Sequence, residues 1–249
     1  MRYYVTADPH GFYTPLKKAL EEKGYFSDPE PHKLIICGDL FDRGREALIM
    51  QDFVLEEMAK DRIILVRGNH EDLLQDYVDN NCMPESHHLS NGTVGTVMQL
   101  TDFSEARALT DFVKMAQEMR KTPLMTKILP SMINYYEAGN YIFVHGWIPC
   151  VQNKYGYVKI PNWRTEAFEE EWYFARWMNG MEVWKSVKEE GKTIVCGHWH
   201  ASYGHSVYEG KGPQNGLGAD FTPFIADGII ALDACTALSG FVNCIVIEA

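Results

Sequence analysis

Short apolar runs rich in Val and Ile recur along the chain, each bounded by polar or glycine-containing segments. They fall at Tyr3–Ala7, Lys33–Cys37, Arg62–Val66, Tyr141–Val144, Thr193–Cys196, Gly228–Leu232 and Phe241–Ile247. Runs of this length and composition predict buried β-strands. Stretches with helical spacing lie between them. Thr14-Pro15 predicts a capped helix start, Leu16, Ala19 and Leu20 then share one face, and Gly24 predicts its stop. Glu46–Lys60 and Glu71–Asn81 carry the same spacing. Strands alternating with helices predict an α/β architecture.

Two stretches interrupt the alternation and read as insertions over or beside one core that runs through residues 1–249. The first, about 81–130, is mixed and Met-rich and predicts a helix at Ser104–Arg120. The second, about 161–188, holds Trp163, Trp172, Trp177 and Trp184 around the acidic run Glu169–Glu171. The aromatic stripe reads first as packing, with substrate contact as the alternative. The acidic run reads as a solvated helix face. Gly210–Gly218 is glycine-rich and predicts a surface loop.

Candidate chemistry sits directly after the apolar runs. Five of them end in polar clusters, VTADPHG, LIICGDLFDRG, ILVRGNHE, IFVHG and TIVCGHWH. The ends of strands on one side of a sheet are where α/β folds place ligands. The clusters supply Asp8 and His10, Asp39 and Asp42, Asn69 and His70, His145, and His198 and His200. Asp8 and His10 are spaced so that both side chains face one side of an extended chain, as are His198 and His200. Gly38 before Asp39 and Gly68 before Asn69 permit close backbone approach. A neutral Asn oxygen and several imidazoles keep the ligand charge low, which leaves positive charge on a bound cation to act on phosphate. Any one cluster alone reads as a turn, a cap or a structural histidine; the ordered set of five carries the signal. The donors are nitrogen and oxygen without thiolate, a set suited to Mn, Fe, Zn or Co.

Composition narrows the field. Hydrophobic residues make up 46% of the 249 and charged residues 23%, the profile of a soluble globular chain. Asp and Glu outnumber Lys and Arg 34 to 23, for a formal charge of -11, which argues against a nucleic-acid-binding surface. No apolar run approaches membrane-spanning length and the start of the chain does not read as a secretory signal. The six cysteines follow no framework spacing; Cys37, Cys196 and Cys244 fall inside apolar runs and read as buried thiols, in keeping with a cytoplasmic location. His32, His87 and His88 read as exposed loop histidines, and His205 as a structural one near the last cluster.

The five blocks resemble the calcineurin-like metallophosphoesterase superfamily. Arg43-Gly44 after Asp42, and Arg67-Gly68 before Asn69-His70-Glu71, resemble its phosphoprotein-phosphatase branch, which includes bacterial serine/threonine phosphatases and diadenosine tetraphosphate hydrolases. The closing stretch IIALDACTALSGFVNCIVIE also resembles that of bacterial members. The resemblance implies a four-layer α-β-β-α sandwich of two mixed sheets flanked by helices. It implies two metal ions, with Mn supporting activity in vitro and Fe or Zn as further occupants. Asp8, His10 and His200 would serve the first ion, Asn69, His145 and His198 the second, and Asp39 would bridge both. Arg43 and Arg67 would hold phosphate oxygens, with Arg176 or Arg164 completing the clamp. His70 would protonate the leaving group while Asp42 holds its ring. The implied reaction is direct hydrolysis of a phosphate ester by a hydroxide bridging the ions, first of phosphoserine or phosphothreonine in proteins, alternatively of a dinucleoside polyphosphate or other nucleotide. A non-catalytic scaffold is the reading from another class. Two departures stand out: both His198 and His200 are present in the last block, and Trp147 replaces the commoner glycine, where its indole would narrow the pocket.

Overall fold

Three tiers of apolar side chains, separated by two β-sheets, organise the chain. The structure is a computed structural model that describes residues 1–108 and 110–249. In the first sheet β1 (Arg2–Thr6), β2 (His32–Cys37) and β3 (Ile63–Val66) run parallel, and β11 (Cys244–Glu248) pairs antiparallel with β1, giving the order β11-β1-β2-β3. The second sheet has the order β4-β5-β8-β10-β9, from β4 (Tyr136–Ala138), β5 (Tyr141–Phe143), β8 (Thr193–Cys196), β10 (Ile229–Ala231) and β9 (Phe224–Ala226). Its inner strands β5, β8 and β10 are parallel and its edges antiparallel. A hairpin of β6 (Cys150–Asn153) and β7 (Gly156–Lys159) stands apart.

Successive side chains of a strand point to opposite faces, so a strand apolar at every position is buried on both. Tyr3, Val5, Ile35, Cys37 and Val66 from one sheet meet Phe143, Val195, Ile230 and Leu232 from the other in the central tier. The alternate residues Tyr4, Leu34, Ile36 and Leu65 face an outer tier built with α1 (Tyr13–Lys23), α2 (Ala47–Ala59), α3 (Asn69–Asp79), α4 (Ser86–Asn91), α5 (Thr93–Thr101), α6 (Glu105–Ala108), α7 (Phe112–Met119), a π-helical turn at Leu124–Ile128 and α8 (Leu129–Ser131). On the opposite side Ile142, Val144, Ile194, Cys196, Ile229 and Ala231 face α9 (Trp163–Glu166), α10 (Glu169–Arg176), α11 (Gly180–Val183) and α12 (Ser202–Glu209). The short α13 (Thr236–Ser239) joins β10 to β11. The result is an α-β-β-α sandwich of two mixed sheets.

All seven apolar runs are strands, within a few residues of their predicted bounds. The strands that pattern did not reveal, β4, β6, β7 and β9, are short, and Val151, Val158 and Ile225 on them stay exposed. The predicted helix Ser104–Arg120 is divided into α6 and α7, and Leu109 lies outside the described residues. Thr110 donates its hydroxyl to the carbonyls of Ala106 and Arg107 at 3.3 and 3.4 Å, competing with the helical ladder, and Asp111 starts α7. Thr14 does not cap α1, which begins at Tyr13; its N–H reaches the Glu46 carboxylate at 3.0 Å instead. Gly24 does end α1, in the left-handed region at φ 86°. Trp163, Trp172 and Trp184 are core residues, whereas Trp177 is 39% exposed.

Outside the strand ends, one buried carboxylate ties α2 to β3. Glu57 is 2% exposed and accepts from Arg62 Nε at 3.0 Å and Nη2 at 2.9 Å, from Lys60 at 3.1 Å, and from the Tyr25 hydroxyl. Burial alone would raise its pKa, but the bonds from Arg62, Tyr25 and Lys60 outweigh it and hold the carboxyl below its ordinary value. A depressed folded-state pKa adds stability above the unfolded-state value that is lost as pH falls through the folded one. Glu57→Gln should therefore destabilise the protein by about 1 kcal/mol at neutral pH, since Arg62 and Lys60 stay partly solvated, and the gap from wild type should close in acid. Urea unfolding across pH checks this; a gap that stays constant would contradict it.

Candidate metal centre

The parallel strands all deliver their polar residues to one end of the sandwich. Asp8, Asp39, His145, His198 and Asp233 each lie two residues beyond the last residue of β1, β2, β5, β8 and β10, and Asn69 opens α3 after β3. The chain must turn sharply there. Asp8, His10, Asp39, Asp42, Arg43 and His198 all take positive φ, between 47° and 73°. Such conformations cost on the order of 1 kcal/mol or more each and persist only where surroundings enforce them. Glu71 is one enforcer: its buried carboxylate accepts the N–H groups of Gly68 at 2.7 Å, Leu40 at 2.9 Å and Asp39 at 3.0 Å. Burial and the adjacent Asp39 charge push the Glu71 pKa up to about 7 despite those bonds. A side chain at Gly38 would strike the His145 ring, and one at Gly68 would strike Asp39, so both turns require glycine.

Asp39 lies at the centre. Its Oδ2 stands 3.7 Å from His10 Nε2 and 3.8 Å from His70 Nε2, and its Oδ1 lies 3.2 Å from His145 Nε2. Asn69 Oδ1 is 2.8 Å from both His145 Nε2 and His198 Nδ1. The outer nitrogens explain this convergence. His10 Nδ1 donates to Phe41 O at 3.1 Å, His145 Nδ1 to Cys37 O at 2.8 Å, and His198 Nε2 to Trp177 O at 3.0 Å. A neutral imidazole that donates from one nitrogen presents a lone pair at the other. Three inward lone pairs thus face carboxylate and amide oxygens that are also lone-pair donors. Acceptors facing acceptors in a buried space repel unless a cation lies among them, and this donor set fits divalent cations.

The charge balance agrees. Burial together with the Asp233 and Asp39 charges drives the Asp8 pKa well up, opposed by the His198 N–H that lies 3.0 Å from each Asp8 oxygen. Burial raises Asp233 as well, against the pull of His200. Burial pushes the His198 pKa down to about 3 and that of His10 well below normal, keeping both rings neutral. Cys37 and Cys196, just before the turns at Asp39 and His198, are fully buried with burial raising their pKa, so they remain thiols.

Next to this group stands a dyad. His70 Nδ1 is 2.8 Å from Asp42 Oδ2, and Arg43 Nη2 lies 3.2 Å from His70 Nε2. Burial would lower the His70 pKa, but Asp39 and Asp42 overcome it and raise the value above normal. The other two candidate arginines lie elsewhere. Arg67 Nε binds Asp72 at 2.7 Å, and Arg176, 2% exposed, binds Asp72 at 2.6 Å and Asn134 at 2.9 Å and pairs with Glu169. They brace α3 against α10 beside a separate shallow surface pocket. Arg164 pairs with Glu137 and Glu189, at the far end of the second sheet. His200 does not join the convergent groups: its Nε2 is 3.9 Å from Asp233 Oδ2 and its Nδ1 is 3.3 Å from Asn215.

Asp233 was missed in the sequence because it follows the run Gly228–Leu232, which read only as a strand, although its position two residues after β10 repeats the spacing of Asp8, Asp39, His145 and His198. Thr93 and Thr96, which grip Asp42, carry no local signal. Trp147 packs into the outer core, donating its indole N–H to Val187 O at 3.0 Å, and so does not narrow the site. The rim instead carries Trp177, Trp199 and Tyr203, around a cavity of about 440 Å³ that also exposes Arg43, His70 and Asn215. Two supposed loop histidines are buried: His32 opens β2 against Tyr4 and Tyr25, and His88 packs on Tyr77. Among the described residues, no helix is long and apolar enough to cross a membrane.

Comparison with known proteins agrees with this geometry. An asymmetrical bis(5'-nucleosyl)-tetraphosphatase, PrpE, from Anoxybacillus flavithermus is 28% identical over 121 residues, covering 46% of this chain and 49% of the relative. A symmetrical bis(5'-nucleosyl)-tetraphosphatase from Thioalkalivibrio sulfidiphilus is 39% identical over 71 residues, covering 28% of this chain and 25% of the relative. The chain thus aligns with about half or less of the length of these curated relatives. A cold-active protein-tyrosine phosphatase from a Shewanella species shares the fold, with a TM-score of 0.52 at 17% identity over 99% of this chain and 75% of its own. The family profile described as calcineurin-like phosphoesterase matches residues 1–217, and with a match of that extent this chain belongs to the calcineurin-like phosphoesterase family.

Proposed function

We propose that this protein is a dinuclear metal-dependent phosphohydrolase that acts on nucleoside polyphosphates. The observation that carries the reading is that Asp39 belongs to two clusters at once, His10–Asp39–His70 and Asp39–His145–His198. Asp39, Asn69, His145 and His198 would hold one cation; Asp8, His10 and Asp39, with Asp233 and His200 at their edge, would hold the other. When bound, such ions supply positive charge to the phosphate oxygens and acidify the attacking water. Mn, Fe and Zn suit the donors.

The chain's own residues do the rest. Arg43 projects into the cavity and presents its planar guanidinium to phosphate oxygens. His70 donates the proton on Nε2 to the leaving oxygen as the P–O bond breaks, with Asp42 holding Nδ1–H and so fixing the ring. Before substrate enters, Arg43 donates to that same Nε2, which is therefore unprotonated; once an arriving anion draws Arg43 to itself, Nε2 is free to take up the proton it then passes to the leaving oxygen.

The rim favours a nucleotide over a phosphoprotein. Trp177 and Trp199 are 39% and 45% exposed beside the cavity, an unusual exposure for indoles, and they offer faces on which a base can stack. A cavity of about 440 Å³ suits a small molecule. The curated relatives named above are nucleosyl tetraphosphatases. Phosphoserine or phosphothreonine in proteins, a reading supported by the Arg43-Gly44 and Asn69-His70-Glu71 motifs, is the second candidate.

Three experiments test the proposal. In Mn²⁺, turnover of diadenosine tetraphosphate should exceed that of a phosphopeptide, and Trp199→Ala should raise its KM about tenfold; faster phosphopeptide turnover would reverse the order of substrates. His70→Asn should cut kcat about a hundredfold on an ester with a poor leaving group, and unchanged kcat would remove His70 from the acid role. Elemental analysis should find metal lost from both positions in Asp39→Asn; retention of both ions would contradict a bridging carboxylate.

A further inference from the structure

Asn91, in the first insertion, lines the cavity, and α5 begins two residues later. One face of α5 reads the turn that follows β2. Thr93, Thr96 and Gln99 recur every three residues on that face, and each bonds the segment 42–47. The Thr93 hydroxyl donates to Asp42 Oδ2 at 2.8 Å, the same oxygen that takes the bond from His70. The Thr96 hydroxyl donates to Asp42 Oδ1 at 2.9 Å and accepts the Asp42 N–H at 3.0 Å. Gln99 accepts the Ala47 N–H at 2.9 Å and donates to Gly44 O at 3.0 Å. Gly92, just before the helix, lies so close to the Arg43 backbone that a side chain there would clash.

We infer that α5 is the positioning element for proton donation, with Thr93 and Thr96 acting through Asp42 to hold His70 on line with the leaving group. Both hydroxyls are buried, Thr93 at 0% and Thr96 at 1% exposure, so water does not replace them. A carboxylate bonded at both oxygens cannot rotate about its terminal bond. Its Oδ2 lone pair therefore stays aimed at His70 Nδ1, and the opposite nitrogen stays aimed at the cavity. Asp42 and Arg43 both hold positive φ, at 73° and 61°, and so depend on outside bonds to keep this turn. Positioning of this kind affects steps that need a proton and spares those that do not.

The inference rests on the hydrolase reading above, and the experiment separates the two. Phenyl phosphate leaves poorly without a proton, whereas 4-nitrophenyl phosphate leaves readily as an anion. Wild-type protein in Mn²⁺ is compared with Thr93→Val and Thr96→Val, which keep the volume and remove the hydroxyl, and with the serine variants, which restore it. In each valine variant, kcat on phenyl phosphate should fall about tenfold further than kcat on the nitrophenyl ester, with KM little changed. Serine should recover most of that ratio. In a His70→Asn background, Thr93→Val should have no further effect on the ratio, since the group it positions is gone. Parallel loss on both esters, or an additive loss in the His70→Asn background, would overturn the positioning role alone. Failure of wild type on both esters and on diadenosine tetraphosphate with metal present would overturn the hydrolase reading and this inference with it.

Discussion

Crowded lone pairs at the strand ends are the constraint on which the site depends. Asp8, Asp39 and Asp233 are buried carboxylates, and around Asp39 the imidazoles of His10, His145 and His198 turn their unprotonated nitrogens inward. Left to itself, such a group would separate, because each member is a hydrogen-bond acceptor facing another. Backbone carbonyls of Phe41, Cys37 and Trp177 prevent that by fixing the outer nitrogens. Repulsion held in place by a rigid frame marks these groups as a candidate cation site, and it uses the interaction that folding alone would avoid.

The frame is rigid because both sheets are buried on both faces. The central tier locks the sheets against each other, so the ends of β1, β2, β5, β8 and β10 keep a common level. Turns of positive φ then lift Asp8, His10, Asp39 and His198 off their strands, and the single carboxylate of Glu71 secures the turns at Asp39 and Gly68. Stability and function are thereby joined: the same burial that holds the strands raises the energy of every unpaired charge at their ends.

The peripheral segments divide the remaining work. Part of the first insertion grips the Asp42 turn from behind, whereas the second supplies Trp177 at the rim and buries its other indoles. The arginine arrangement follows from this geometry. Of the four candidate phosphate-binding arginines Arg43 reaches the cavity, while Arg67 and Arg176 share Asp72 and Arg164 pairs with Glu137 and Glu189. Their charges are taken up by neighbouring carboxylates, which leaves the cavity to the Arg43 guanidinium, the imidazoles of His70, His198 and His200, and the aromatic rim.

The seven main strands and the donors at five of their ends were legible in the sequence, because a strand buried on both faces must be apolar throughout and a ligand turn must then break that run with Gly, Asp, Asn or His. The short edge strands were not, since β6, β7 and β9 leave much of their surface in water and need no distinctive pattern. Nor was the break between α6 and α7, where the Asp111 backbone leaves the helical path. Tertiary structure alone decided which donors meet. It set His200 with Asp233, took Arg67 and Arg176 away from the cavity, turned Trp147 into the core and brought Thr93 and Thr96 to Asp42, about fifty residues distant in the chain. Residue type and spacing specify what a side chain can bind, but the partner it finds depends on how sheets and helices pack, and that information is spread over the whole chain.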